Sequence, residues 1–444
     1  MNKQKQKEPQ QQSQRQQRLI NTSLIALFIA TIGTITEISG ANFDITLHLH
    51  RHPGGERLLI DAETFLSPSH TILYAGVVIT AIAAVIGVRA SALYSIYKCN
   101  YNNNNNNNTE LTVATESDHS QLPSSSEYNS LDAFPSSFIS AFKLLALGSG
   151  LTLIAGPFDL WWHSTLGLDG LLSPPHLFLI TGMFVSALAV TVGLARMIIR
   201  RTPMSLSKMK LVKAATILAF ATLWLSSIWL VHAFVLPASK GQHFNFNMNP
   251  IAASVIAVIA MPLIGSLIFT TASKVLARER FSGYATIVVL IVVGTNVFAN
   301  ILTVGQLTSF LPWYLAITII PVIISDILQH RRYNTNNNTV GALASSQSVP
   351  LLSNSNTTVT MTRTKIELII GAMIGSTFYI LDFPMLALTF ERLFGAPLRA
   401  VVQNLLPNFL QTLPLSLAIT IISGAIVGTI GAAIFSKKIK VAIS

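Results

Sequence analysis

Apolar runs, each long enough to cross about 30 Å of hydrocarbon, recur along the whole chain. They lie near residues 19–40, 70–97, 138–160, 175–199, 211–236, 250–276, 283–304, 310–329, 365–388 and 408–435. Lipid offers nothing to a bare backbone N–H or C=O, so helices, which satisfy those groups internally, are the practical way across. The expected fold is therefore all-α, a polytopic integral membrane protein with about ten transmembrane helices. Composition points the same way. Of 444 residues, 51% are hydrophobic and 11% charged, whereas soluble domains carry roughly a quarter charged.

The formal charge of +11 raises nucleic acid as a partner, but the basic residues form no continuous face. They sit in short clusters at the ends of apolar runs, as loop signals do. The lipid bilayer, and no nucleic acid, is the expected partner. Lys3, Lys5, Lys7, Arg15 and Arg18 precede the first run, and Arg89 and Lys98 follow the second. Arg196, Arg200, Arg201, Lys208, Lys210 and Lys213 follow the fourth. Lys274, Arg278 and Arg280 follow the sixth, Arg331, Arg332, Arg363 and Lys365 the eighth, and Lys437, Lys438 and Lys440 the last. Every even-numbered exit is basic. That pattern places both termini in the cytoplasm and the odd-numbered exits outside a cell membrane. Arg51, Arg57, Lys240, Arg392 and Arg399 run against it and are fewer. The first run lacks an obvious A-x-A site and reads as a retained span, not a cleaved signal.

Two low-complexity segments, "YNNNNNNNTE" with its Ser-rich continuation and "YNTNNNTVGALASSQS", cannot bury a core and read as disordered cytoplasmic connectors. The resulting organisation is a tail at 1–18, a first helix pair at 19–98 and an Asn/Ser-rich linker at 99–137. A six-helix block at 138–330, an Asn/Ser/Thr-rich linker at 331–364 and a C-terminal helix pair at 365–444 follow. The single cysteine, Cys99, excludes an internal disulfide and a cysteine-rich metal site. Any metal here has to be held by His, Asp, Glu or Asn.

One pattern occurs twice. "GANFDITLHLHRHPGGERLLIDAETFLSPSHTILYAG", Gly40 to Gly76, and "GPFDLWWHSTLGLDGLLSPPHLFLITG", Gly156 to Gly182, share an order of residues. Each has Phe-Asp and a His four residues after the Asp, giving Asp44 with His48 and Asp159 with His163. Each then has an acid, Asp61 or Asp169, and a Ser-Pro-x-His that ends at His70 or His176. A glycine follows six residues later, and the first copy holds nine extra residues between its histidines. Each copy joins an odd run to the next even one, so a helix–loop–helix unit is used twice on the outer side.

Spacing supplies the chemistry. Residues at i and i+4 share a helix face, so Asp159 and His163 point the same way. Pro174 and Pro175 suit the first turn of the next helix, where a missing N–H leaves no bond unmade. His176 then returns towards the end of the preceding helix. One carboxylate and two imidazoles make a three-ligand metal site with open positions, suited to copper, zinc, iron or manganese. The bland alternative is a cap or salt bridge with interfacial hydrogen bonds, since acids and histidines are ordinary at span ends. In the first copy, Asp44, His48 and His70 are the corresponding ligands, with His50 and His52 as substitutes. Trp161 and Trp162 are interfacial anchors or shields for the site.

Asp159, His163, Asp169 and His176, closed by Ser-Pro-x-His, resemble the C subunit of copper membrane monooxygenases, the particulate methane and ammonia enzymes. The resemblance implies copper bound by Asp159, His163 and His176 at the outer side of the membrane, with zinc or iron as alternatives. It covers one helix–loop–helix unit and, more loosely, Asp44, His48 and His70. Other membrane subunits are the further partners it implies. "ERLFGAPLR", Glu391 to Arg399, is similar to the end of the family's later copper site, but Arg399 replaces its histidine, and Leu381 and Met385 stand for the other ligands. The expected function is a metal-binding subunit, an accessory protein or a divergent oxidase. A small-solute or metal-ion transporter and a purely structural subunit are the other readings.

Weaker candidates remain. His232, His243, Asn245, Asn247 and Asn249 flank an outer loop, Asp382 lies near Glu391 and Arg392, and Asp326 lies near His330. Asn296, Asn300 and Gln306 read as interhelical hydrogen-bonding groups. No phosphate loop, dinucleotide fingerprint or nucleophile elbow is present, which argues against ATP-driven transport.

Overall fold

The computed structural model describes residues 2–49, 67–112, 125–167, 172–199, 204–235, 250–276, 283–304, 319–327, 330, 365, 368–377 and 421–433. The described elements are all helices: α1 (Asn2–Leu49), α2 (Pro68–Thr112), α3 (Ser125–Leu166), α4 (Pro174–Ile199), α5 (Leu206–Val235), α6 (Pro250–Leu276) and α7 (Tyr284–Val304). Among the described residues, five helical stretches are long and apolar enough to cross a membrane: Gln17–Asp44, Pro68–Ile96, Phe138–Leu166, Pro174–Ile199 and Leu206–Phe234. Shorter apolar helices run over Pro262–Leu276, Tyr284–Ala299, Leu368–Thr377 and Ile421–Ala433.

The bundle buries small polar groups within its apolar core and also leaves large apolar groups on its outer surface. Ile25 and Ile32 on α1, Val78, Ile82 and Val85 on α2, and Leu147, Leu153 and Ile154 on α3 are exposed. Thr31, Thr34, Thr80, Ser149, Thr152, Ser186 and Thr191 are buried. Water would penalise that distribution and hydrocarbon would not. Apart from Ser186, these hydroxyls bond to backbone carbonyls of their own helices, and Thr191 Oγ1 also reaches across from α4 to Ala219 O of α5 at 3.0 Å. α5 is the most enclosed of the five spans, and it packs on α1, α4, α6 and α7. Its Trp224 and Phe220 are among the largest fully buried side chains, and Trp224 meets Phe269 of α6 with ring centroids 5.2 Å apart.

α1 pairs with α2 and α3 with α4, and α2 packs on α3. The two pairs make the same close approaches. A β-carbon at Gly33 would overlap Thr80 Oγ1, and one at Gly76 would overlap the Glu37 backbone. In the second pair a β-carbon at Gly148 would overlap Ser186 Oγ, and one at Gly182 would lie 2.6 Å from the Thr152 methyl. Counted from Asp44 and Asp159, or from His70 and His176, these positions correspond one to one. Small residues set the helix separation, as at close membrane crossings. The C-terminal pieces follow suit, with Gly375 against Gly424 and Gly371 against Gly428.

Composition predicts an unstructured connector at the Asn run, but α2 continues as helix through it to Thr112, and α3 begins at Ser125. Asparagine is a poor helix former, yet adding residues to an existing helix requires no new nucleus, and neither Gly nor Pro interrupts the run.

Candidate metal centre

α3 ends where its sequence says it should. Gly167 adopts φ 85°, and its N–H donates to His163 O at 3.2 Å. That left-handed cap is open to glycine at no steric cost. It fixes His163 in the last turn, one turn beyond Asp159. Ser173 then caps α4: its carbonyl accepts from Leu177 N at 3.0 Å, and Pro174 occupies the first helical position. His176 is thereby aimed back at α3.

The three side chains meet. His163 Nε2 lies 3.2 Å and His176 Nε2 3.3 Å from Asp159 Oδ1. The imidazole centroids are 5.6 Å apart, and one ligand atom from each residue lies within 4.8 Å of the others. All three side chains are partly buried. Although the distances suit charge-assisted contacts, no hydrogen bond is aligned on Asp159 Oδ1, which is enclosed. Ligand atoms bonded to one tetrahedral ion at about 2.0–2.1 Å stand about 3.3 Å apart, so the donor set fits a small divalent or monovalent transition-metal ion. His176 Nδ1 contacts Ser173 Oγ at 2.9 Å, the kind of outer bond that fixes a ligating imidazole's tautomer and leaves Nε2 for the ion. Phe158, Trp161, Trp162 and Phe178 pack around the same turn at centroid separations of 5.9–6.4 Å, Phe158 stacked on Trp161 and the other pairs edge to face. Trp162 is buried and Trp161 exposed, so one shields the turn and the other suits the bilayer interface.

The first unit shares part of this arrangement. His70 Nε2 lies 3.3 Å from Asp44 Oδ1, and Ser67 caps α2 through its carbonyl, which accepts from Thr71 N at 2.8 Å. Here, however, Ser69 Oγ donates to Asp44 Oδ1 at 2.6 Å. The corresponding position in the second unit is Pro175, which has no hydroxyl. Asp44 is therefore already hydrogen-bonded, whereas Asp159 presents an oxygen without that competition. His48 falls in the last turn of α1, and its side chain lies outside the described residues, as do Asp61, Asp169, His50 and His52.

The two units occupy the same end of the bundle. Tyr74 of α2 packs against Gly156 of α3, where a β-carbon would lie 3.3 Å from Cε1. The charges of Asp159 and Asp44 both act on Tyr74, and His70 acts on Asp159.

Other candidates fall elsewhere. His232 is buried in α5 with Trp229, rings edge to face at 5.5 Å. Asp326 is a structural cross-link, accepting from Ser273 Oγ, Thr286 N and Thr286 Oγ1 at 2.8–3.1 Å. Asn296 Nδ2 donates to Val292 O in its own helix. His243, Asn245, Asn247, Asn249, Gln306, Leu381, Asp382, Met385, Glu391, Arg392 and Arg399 lie outside the described residues, as does the side chain of Asn300. The sequence reading passed over Glu37, an acid inside the first span; a charge interrupting an apolar run was the available signal.

Neither a protein family, nor a characterised protein, nor a solved structure matches the chain.

Proposed function

We propose that the chain is a membrane-embedded metal-binding protein in which Asp159, His163 and His176 hold one transition-metal ion. The observation that carries this reading is the convergence of three ligand atoms from two helices within 4.8 Å, around a carboxylate oxygen on which no hydrogen bond is aligned. Copper is the preferred ion, by the resemblance of this segment to copper membrane monooxygenase C subunits, with zinc or iron next. When bound, copper supplies one-electron redox chemistry, and the protein's part is to hold it near the membrane boundary beside an aromatic wall. Asp44, His48 and His70 form a second, weaker site, because Ser69 competes for Asp44.

In this reading the full chain has about ten spans and is built on a duplicated helix–loop–helix unit, a duplication supported by the matched approaches at Gly33, Gly76, Gly148 and Gly182. The basic exits put both termini in the cytoplasm and the metal centre outside. The protein serves as a subunit or accessory of a membrane oxidase, or as a divergent oxidase itself.

The test is the metal content of the chain purified without a histidine tag, beside an Asp159→Ala, His163→Ala double variant. Copper bound by the first and lost from the second supports the site, and equal metal in both refutes it. A transporter is the second reading, favoured by one observation, the fully buried Glu37 inside a span. Flux in reconstituted vesicles that disappears with those substitutions would support it.

A further inference from the structure

Glu37 lies inside the first span and is completely enclosed, at 0% exposure. Both carboxyl oxygens are buried with no aligned hydrogen bond. Among the described residues its polar neighbours are two hydroxyls, and no charged side chain reaches it. α2 lies directly against it at Gly76, and the side chains of Thr80 on α2 and Thr152 on α3 reach the carboxyl. Each hydroxyl already directs its proton elsewhere: Thr80 Oγ1 donates to Gly76 O at 2.8 Å and Thr152 Oγ1 to Ser149 O at 3.1 Å. A hydroxyl in that state offers lone pairs only.

An anionic Glu37 would thus be enclosed without a cationic partner among the described residues, in a medium that penalises unpaired charge heavily. Either a proton or a cation must sit among these oxygens. A hard metal cation takes about six oxygen ligands, more than the carboxyl and two hydroxyls provide. A proton needs only one oxygen to carry it and one lone pair to receive it.

The placement adds a route. Glu37 precedes Asp44 by seven residues, which is close to two full turns, or about 10 Å along one face of α1. Thr152 precedes Asp159 by the same interval on α3. Glu37 and Thr152 therefore stand at matching depths below Asp44 and Asp159, separated from them on those faces by the small residues Gly40, Ala41, Ala155 and Gly156. Towards the end that holds Asp44, the titratable groups with described side chains are Asp44 on α1, His70 and Tyr74 on α2, Asp159 and His163 on α3, and His176 on α4, whereas Arg15, Arg18, Arg89, Tyr94, Lys143 and Arg196 lie towards the other end.

We propose that Glu37 is a proton-carrying site, a neutral carboxylic acid held between α1, α2 and α3 that exchanges its proton with water at the end of the bundle where Asp44 and Asp159 lie. In each exchange one proton leaves the carboxyl and one from solvent replaces it. The inference does not depend on a bound metal, because Glu37 is not among the ligands.

Infrared spectroscopy of the full chain in lipid nanodiscs at neutral pH tests it, comparing wild type with Glu37→Gln and Glu37→Asp. The carbonyl band of a protonated carboxyl in apolar surroundings should be present in wild type, missing in Glu37→Gln and displaced in Glu37→Asp. It should also shift when the sample is moved into D2O. Should Glu37→Gln fail to fold, the displacement in Glu37→Asp carries the assignment. Carboxylate bands in place of the carbonyl band, or a carbonyl band unmoved by D2O, would overturn the proposal.

Discussion

Ser69 Oγ donates a 2.6 Å hydrogen bond to Asp44 Oδ1, and in the second unit the residue at that position is Pro175. This exchange separates two units that share the pairing of an Asp with the His of Ser-Pro-x-His. A hydroxyl proton on the carboxylate competes with a metal ion for the same lone pair, and a proline cannot compete. Introducing Pro175→Ser should therefore bring the first unit's competition into the second. Copper affinity at Asp159, His163 and His176 is expected to fall by about 10-fold or more, in line with other changes to groups that bond a ligating residue. Competition titration against a chelator of known affinity measures it. Unchanged affinity would mean that the hydroxyl does not matter.

Ser173 should matter in the opposite sense. Its hydroxyl lies 2.9 Å from His176 Nδ1 and orients the imidazole that faces Asp159. Replacing it by alanine, Ser173→Ala, leaves the ring free to choose its tautomer and rotamer. Metal affinity should drop about 10–100-fold, while the helix content measured by circular dichroism stays constant. Rescue by Ser173→Thr would separate this role from simple capping.

Helix separation offers a test independent of metal. A β-carbon at Gly182 would lie 2.6 Å from the Thr152 methyl and 2.9 Å from its backbone nitrogen, whereas one at Gly150 would meet nothing within 4 Å. Gly182→Ala should destabilise the α3–α4 pair by about 1–3 kcal/mol, the usual penalty of overpacking. Gly150→Ala should be neutral or slightly stabilising, because alanine favours helix by up to about 1 kcal/mol. Thermal unfolding in detergent checks both. Equal Tm values for the two variants would contradict the close approach.

Much of the centre was legible in the sequence because its parts are local. Asp159 and His163 share a face by helical spacing, and Pro174 marks the start of the helix that carries His176. Ser69 and Pro175 were also visible, as "SPSH" and "SPPH", but their consequence needs the third dimension, since Ser69 reaches Asp44 across the turn between two helices. The meeting of the units around Tyr74 depends on α2 packing against α3, which no periodicity encodes. Glu37 was hidden for another reason. A lone acid in an apolar run reads as an exception until Thr80 and Thr152, from two other helices, are seen to enclose it. The apolar runs announced the five described helices that are long and apolar enough to cross a membrane, while the continuation of α2 through the Asn run escaped a reading based on composition.

The most direct measurement is X-ray absorption on the untagged chain loaded with one equivalent of copper, repeated on His176→Ala. The wild-type spectrum should show copper held by two imidazoles and an oxygen donor, and the variant should lose one imidazole together with most of its affinity. Copper bound without imidazole ligands, or a spectrum and affinity unchanged by His176→Ala, would contradict a metal centre at Asp159, His163 and His176.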